Sequence, residues 1–188
     1  MLRQLILLLL LTSSAWAQPG RAVVVWLSLD GMRGDYVEQS PAPNLQAMIK
    51  EGLYSHHLTG TFPTLTFPSH TSLATGVPAG EHGIVGNNFF DRETGTLYQM
   101  PTESALVQAE PIWVTAARQQ ARSIVLDWPL SYNQQGPFRA SVFSEGYQSK
   151  LTDSERVDRL MDSWDRDENP NPIRSTRDRG RISPSPTT

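Results

Sequence analysis

The segment Ala22-Val23-Val24-Val25-Trp26-Leu27-Ser28-Leu29 constrains the fold of this chain more than any other. It is a nearly continuous apolar run, rich in β-branched residues, and it ends on Asp30-Gly31. A run without polar alternation predicts a central strand buried on both faces, which calls for a parallel sheet covered by helices. Leu45, Met48 and Ile49 follow Pro43-Asn44 at helical spacing, and Gly52 supplies a stop. Leu53 to Leu58 is expected to return as a strand, with His56 and His57 as a strand residue and its partly wet neighbour. Strand, helix and strand in that order make a right-handed crossover unit. The chain is therefore expected to be α/β.

The later elements are shorter. Phe89-Phe90 and Thr96 to Tyr98 flank Glu93-Thr94-Gly95, the pattern of a small hairpin. Pro111 to Gln120 is expected to be a helix with proline near its start. Ser123 to Leu126 is a short apolar strand, closed by Asp127-Trp128-Pro129. Thr152-Asp153-Ser154-Glu155 is a capping box, and Val157, Leu160, Met161 and Trp164 give the helix behind it one apolar stripe.

The two ends read differently from the middle. Residues 1–17 combine Arg3, the apolar run Leu5 to Leu11 and Ala15-Trp16-Ala17, the pattern of a cleaved secretory signal rather than a membrane span. A buried N-terminal helix is the alternative. No later run approaches spanning length, so the mature protein is expected to be periplasmic or secreted. Residues 18–164 carry the domain. Residues 165–188 hold only Ile173 and Ile182 as large aliphatics, among Arg, Asp, Asn, Ser, Pro and Thr. That composition predicts a disordered tail, with a basic interaction arm as the alternative.

Absence of cysteine excludes disulfide scaffolds, thiolate-bound zinc, iron–sulfur clusters and thiol nucleophiles. A net charge of −3 argues against a nucleic-acid-binding protein. Three elements remain as candidates for chemistry. Asp30 ends the first predicted strand, where ligands of open α/β sheets bind, and reads equally as a turn residue or a metal ligand. Thr66 lies just before a helix whose first turn accommodates Pro68 and which stops near Gly76. Its hydroxyl reads either as a helix cap or as a nucleophile beside a bound phosphate, since a helix N-terminus favours anions. Gly83, Gly86 and Asn87 form a loop that can approach a ligand closely and donate an amide to an oxyanion.

Four stretches carry a resemblance: Leu27-Ser28-Leu29-Asp30-Gly31-Met32-Arg33, Pro43-Asn44-Leu45, Phe62-Pro63-Thr64-Leu65-Thr66-Phe67-Pro68-Ser69-His70, and Glu81-His82-Gly83-Ile84-Val85-Gly86-Asn87. In that order they resemble the nucleotide pyrophosphatase/phosphodiesterase family of the alkaline phosphatase superfamily, N-terminal portion, from about Val23 to about Trp128. The resemblance implies an alkaline-phosphatase-like core, a mostly parallel sheet flanked by helices, incomplete at its C-terminal side. It implies Asp30 as a ligand of one zinc ion, Thr66 as nucleophile and ligand of the same zinc, and Asn87 as substrate-binding residue. Asn87 and the Thr66 N–H would steady a phosphoryl oxygen. His70 and His82 are implied to be structural. Ser69 stands where asparagine is usual and Gly34 where an aromatic is common, which leaves substrate choice open.

The family's site holds two zinc ions, with several Asp and His ligands downstream of the nucleophile. Here no histidine follows His82. A catalytic zinc takes about three protein ligands, so this chain alone is expected neither to hold two zinc ions nor to turn over well. The expected activity is hydrolysis of a small phosphodiester or nucleotide pyrophosphate bond through Thr66. The alternatives are a phosphonate or phosphomonoester hydrolase, or a non-catalytic secreted fragment or binding module.

Overall fold

A computed structural model of the chain describes residues 23–165. The described residues divide into two compact units, one ending at Glu51 and the other beginning at Gly52. The expected signal at 1–17 and all of the expected tail beyond Asp165 lie outside the described residues.

In the N-terminal unit the apolar run behaves differently from its expectation. Residues 23–29 belong to no strand, and Val24 and Val25 are 88% and 72% exposed rather than buried. The physical reason is that a strand exists only through its ladder, and neither sheet among the described residues includes this run. Asp30-Gly31 forms a turn, with Gly31 at φ +68°. Two helices follow, α1 (Tyr36–Gln39) and α2 (Pro43–Glu51), the second as its sequence pattern predicts. The Gln46 side-chain amide donates to the carbonyls of Val37 and Ser40, tying α2 to the preceding turn.

The second unit opens without the expected strand. Leu53 and Leu58 are exposed, residues 53–58 form no ladder, and no crossover unit closes. His56 and His57 are exposed loop residues; the His56 ring meets Tyr54 edge-on at 4.6 Å. Beyond this loop lie helices α3 (Thr66–Thr75) and α4 (Ala79–His82). The hairpin β1 (Asn88–Asp91) and β2 (Thr96–Gln99) follows as expected, antiparallel, pairing Phe89 with Tyr98. A 3-10 turn at Ser104–Leu106 leads to α5 (Ile112–Arg118), which starts after Pro111.

The predicted strand at 123–126 shrinks to β3 (Ile124–Val125), parallel to β4 (Val142–Phe143). The strand at 124–125 was expected from its apolar run, whereas its partner at 142–143 was not, and the pairing comes from tertiary placement. Helix α6 (Asp153–Asp165) begins at the expected capping box. The Thr152 N–H donates to Glu155 Oε2 at 2.8 Å, and the Glu155 N–H returns to Thr152 Oγ1 at 3.3 Å. Its stripe is reversed, however. Val157, Met161 and Trp164 are exposed, while Arg159 is 7% exposed and donates to Gln148 Oε1. Arg156 explains the reversal, because it pairs with Asp127 and donates to the Gln148 carbonyl, with its guanidinium over the Tyr147 ring. Two partnered arginines orient the helix, and of the apolar stripe only Leu160 is half-buried.

Helix α3 bridges two apolar clusters. Ala74 packs with Trp113, Ala140 and Phe143, and Phe67 packs with Ile84 and Leu130. Its N-terminal end is thereby held on a side chain one residue from Thr66.

Candidate active site

The local sequence explains how α3 starts and stops. Leu65 is the cap position, extended at φ −110° and ψ 159°, and Thr66 is the first helical residue. Pro68 sits in the first turn, where its missing N–H costs no bond. Gly76 ends the helix at φ +74°, its N–H donating to the Ser72 carbonyl. Thr66 is therefore not the cap, and the reading of its hydroxyl as a cap loses its geometry.

Thr66 and Asn87 are brought together. Asn87 Oδ1 accepts the Phe67 N–H at 2.9 Å. An N–H can only donate, so the asparagine oxygen is spent on the helix and its Nδ2 remains as a donor. Both residues are partly exposed, between the buried Phe67 and Pro68 and the buried Gly86. The dipole of the ten-residue α3 adds a positive end at this point. An anion held here would meet a hydroxyl, an amide donor and the helix N-terminus.

The loop to Asn87 is built by its glycines. Gly83 caps α4 at φ +81°, its N–H donating to the Ala79 carbonyl. A Cβ on Gly86 would lie 2.8 Å from the Asn88 carbonyl oxygen, so the glycine is required by the chain's own close return before β1. The glycine pattern was read from sequence as ligand approach; here it serves backbone approach.

His82 locks this loop to α3. It is fully buried, its Nδ1 accepts the Ile84 N–H at 3.1 Å, and its Nε2 donates to Ser72 Oγ at 3.0 Å. That pattern requires the neutral imidazole. Burial holds its pKa below the ordinary 6.5. Because the unfolded state binds the proton more readily, this group's contribution to stability is complete above about pH 6.5 and is lost as pH falls toward its lower folded value. Thermal melts between pH 7.5 and 5.5 are expected to show a falling midpoint, with a shallower slope in His82→Gln.

His70 is buried at the other side of the first turn. Its Nδ1 donates to the Thr66 carbonyl at 2.7 Å, and its own carbonyl accepts from Trp128 Nε1 at 3.1 Å. In the sequence Trp128 marks the closure of a strand and the end of the family resemblance; its place at the carboxyl end of β3 is the signal for a role at the site. Asp30 lies in the N-terminal unit, exposed, at its turn. Among the described residues no three His, Asp or Glu side chains gather as a metal site. The described residues therefore do not by themselves fit the two-zinc centre that the resemblance implies.

The arrangement is that of an alkaline-phosphatase-like α/β fold: murine ectonucleotide pyrophosphatase/phosphodiesterase 5 superposes with a TM-score of 0.68 at 27% identity, over 77% of this chain and 40% of that one. An inactive threonine-to-alanine variant of that protein in complex with AMP superposes equally well. Residues 24–179 match the type I phosphodiesterase / nucleotide pyrophosphatase family, and the chain belongs to it. Similar relatives include bis(5'-adenosyl)-triphosphatase enpp4 of Xenopus laevis, 41% identical over 56% of this chain and 24% of that protein. Human ENPP4, of the same name, is 32% identical over 85% of this chain and 35% of its own length. The chain thus spans about a third of the length of the curated relatives it matches.

Proposed function

We propose that this chain carries the nucleophile-bearing part of a secreted hydrolase of phosphodiester or nucleotide pyrophosphate bonds. The observation that supports it most is the 2.9 Å bond from the Phe67 N–H to Asn87 Oδ1, which sets an amide donor beside the Thr66 hydroxyl at a helix N-terminus. Thr66 Oγ1 attacks phosphorus in line. Asn87 Nδ2 and the α3 terminus hold the negative charge that grows on the phosphoryl oxygens. The leaving alcohol or phosphate departs with the electron pair of its bond and takes up the equivalent of the proton that the hydroxyl gives up, and water then hydrolyses the phosphoryl-threonine to regenerate the hydroxyl.

A threonine hydroxyl is a weak nucleophile near neutral pH and needs a metal or base to activate it. The resemblance assigns zinc, with Asp30 and Thr66 as the ligands carried by this chain. Those two groups fall short of even one catalytic zinc shell. A secretory signal within 1–17, an N-terminal catalytic portion over 18–164 and a tail over 165–188 complete the reading. No helix among the described residues is long and apolar enough to cross a membrane.

The test compares the 188-residue chain with the protein extended to the length of its relatives, using a chromogenic phosphodiester and added zinc. The extended protein is expected to turn over with two zinc ions by elemental analysis; the 188-residue chain is expected to hold fewer and to turn over poorly. Two firmly held zinc ions in the shorter chain would overturn the ligand assignment. An extended protein that melts cooperatively but shows no zinc-dependent hydrolysis would favour a binding module.

A further inference from the structure

The loop after β3 is built in an unusual conformation. Asp127, Leu130 and Asn133 all have positive φ, at +52°, +59° and +50°. Aspartate and asparagine tolerate this region but leucine avoids it, so Leu130 keeps its conformation only where the surroundings over-determine it. The surroundings do so here. Leu130, Ser131 and Tyr132 are almost wholly buried, and Ser131 donates from both its N–H and its Oγ to the Trp128 carbonyl, at 3.1 and 2.7 Å. Gln134 donates to the Ser131 carbonyl and accepts the Ala140 N–H. Arg156 anchors Asp127 at the base of the loop.

This rigid loop makes two contacts with the N-terminal half of α3, at Phe67 and at His70. Leu130 lies in the cluster that seats Phe67. Trp128 Nε1 donates to the His70 carbonyl at 3.1 Å, with the two rings edge-to-face at 5.3 Å. His70 Nδ1 in turn donates to the carbonyl of Thr66 at 2.7 Å. The first turn of a helix is the part that frays, because its leading N–H groups lack intrahelical partners. Here the fraying end is clamped through the peptide of the very residue read as the nucleophile.

We propose that Trp128 and His70 are positioning residues for Thr66, acting as a relay from the loop after β3 to the Thr66 peptide. The inference rests on the reading of Thr66 as the nucleophile. The relay holds the Thr66 carbonyl from one side while Asn87 holds the Phe67 N–H from the other, so the hydroxyl keeps its place against the amide donor. Neither residue touches the reacting atoms.

The experiment is residue-resolved amide hydrogen exchange by NMR on the 188-residue chain, with four forms compared. Trp128→Phe keeps the ring and loses the N–H. His70→Leu loses the donor. His70→Asn restores a donor at the position of Nδ1, as a side-chain amide places its nitrogen the same number of bonds from the backbone. Trp128→Phe and His70→Leu are each expected to speed exchange at Phe67 and Ser69 about tenfold or more, with the β1–β2 hairpin and α6 unchanged. His70→Asn is expected to return Phe67 and Ser69 to within about threefold of the parent chain. Unchanged exchange at Phe67 in Trp128→Phe would overturn the relay, as would His70→Asn behaving like His70→Leu. Acceleration spread evenly over the whole unit would also overturn it, because that is the signature of a structural role alone. Exchange reads the geometry of the turn whatever its chemistry, whereas loss of turnover in Thr66→Ala reads the nucleophile, so the two failures are told apart.

Discussion

Replacing Thr66 with alanine, in the protein extended to the length of its relatives, is expected to abolish diester hydrolysis while leaving the fold almost unchanged. The rate should fall on the order of 10⁴-fold or more, since removing a nucleophile removes the covalent route itself. Stability should move by only about 0.5 kcal/mol, the size of an ordinary substitution away from special features. The cap of α3 is Leu65, so no capping bond from the Thr66 position is at stake, and alanine is a good helix residue there. Thr66→Ser should keep part of the rate because the attacking oxygen survives. Turnover and a thermal melt on the same preparations check both halves. Full turnover in Thr66→Ala would move the chemistry to another hydroxyl, with Thr64 the nearest in sequence.

Asn87 is expected to show two separable effects. Asn87→Leu strips the Phe67 N–H of its acceptor in a partly buried place, which costs about 1–3 kcal/mol of stability. It also removes the Nδ2 donor, with a rate loss of about 10²–10³-fold by the usual worth of an oxyanion donor. Asn87→Asp keeps an oxygen for the Phe67 N–H and puts a carboxylate at a helix N-terminus, so stability is expected to hold. Its rate should fall at least as far, because the donor is gone and a negative charge now faces the phosphate. A melt that drops equally in both variants would show that the Asn87–Phe67 bond does not carry the local geometry.

The fold class and the helix of the candidate site were legible in the sequence; two of the expected strands were not. Pro68 and Gly76 could be placed on one helix because Pro and Gly act locally, through a fixed φ and a permitted left-handed one, whereas Thr66 was expected just before that helix and is its first residue. The hairpin at 88–99 and the capping box at Thr152 were legible for the same reason. The strands at 23–29 and 53–58 were not borne out, because a strand needs a partner and an apolar run says nothing about whether one is present. Helix α6 was found but turned the wrong way: periodicity weighs apolar residues, and the Arg156–Asp127 pair that orients the helix spans 29 residues. Trp128 and His70 lie 58 residues apart, and only the folded chain shows that an indole closes on the turn that carries Thr66.

The central claim is that Thr66 at the start of α3 takes the phosphoryl group from the substrate. It is tested most directly by acid-quenching the extended, zinc-supplied protein during turnover of a chromogenic phosphodiester and mapping the adduct by peptide mass spectrometry. The account predicts the added phosphoryl mass on Thr66, and its disappearance together with turnover in Thr66→Ala. An adduct on Thr64 or any other residue, or turnover that persists in Thr66→Ala, would contradict it.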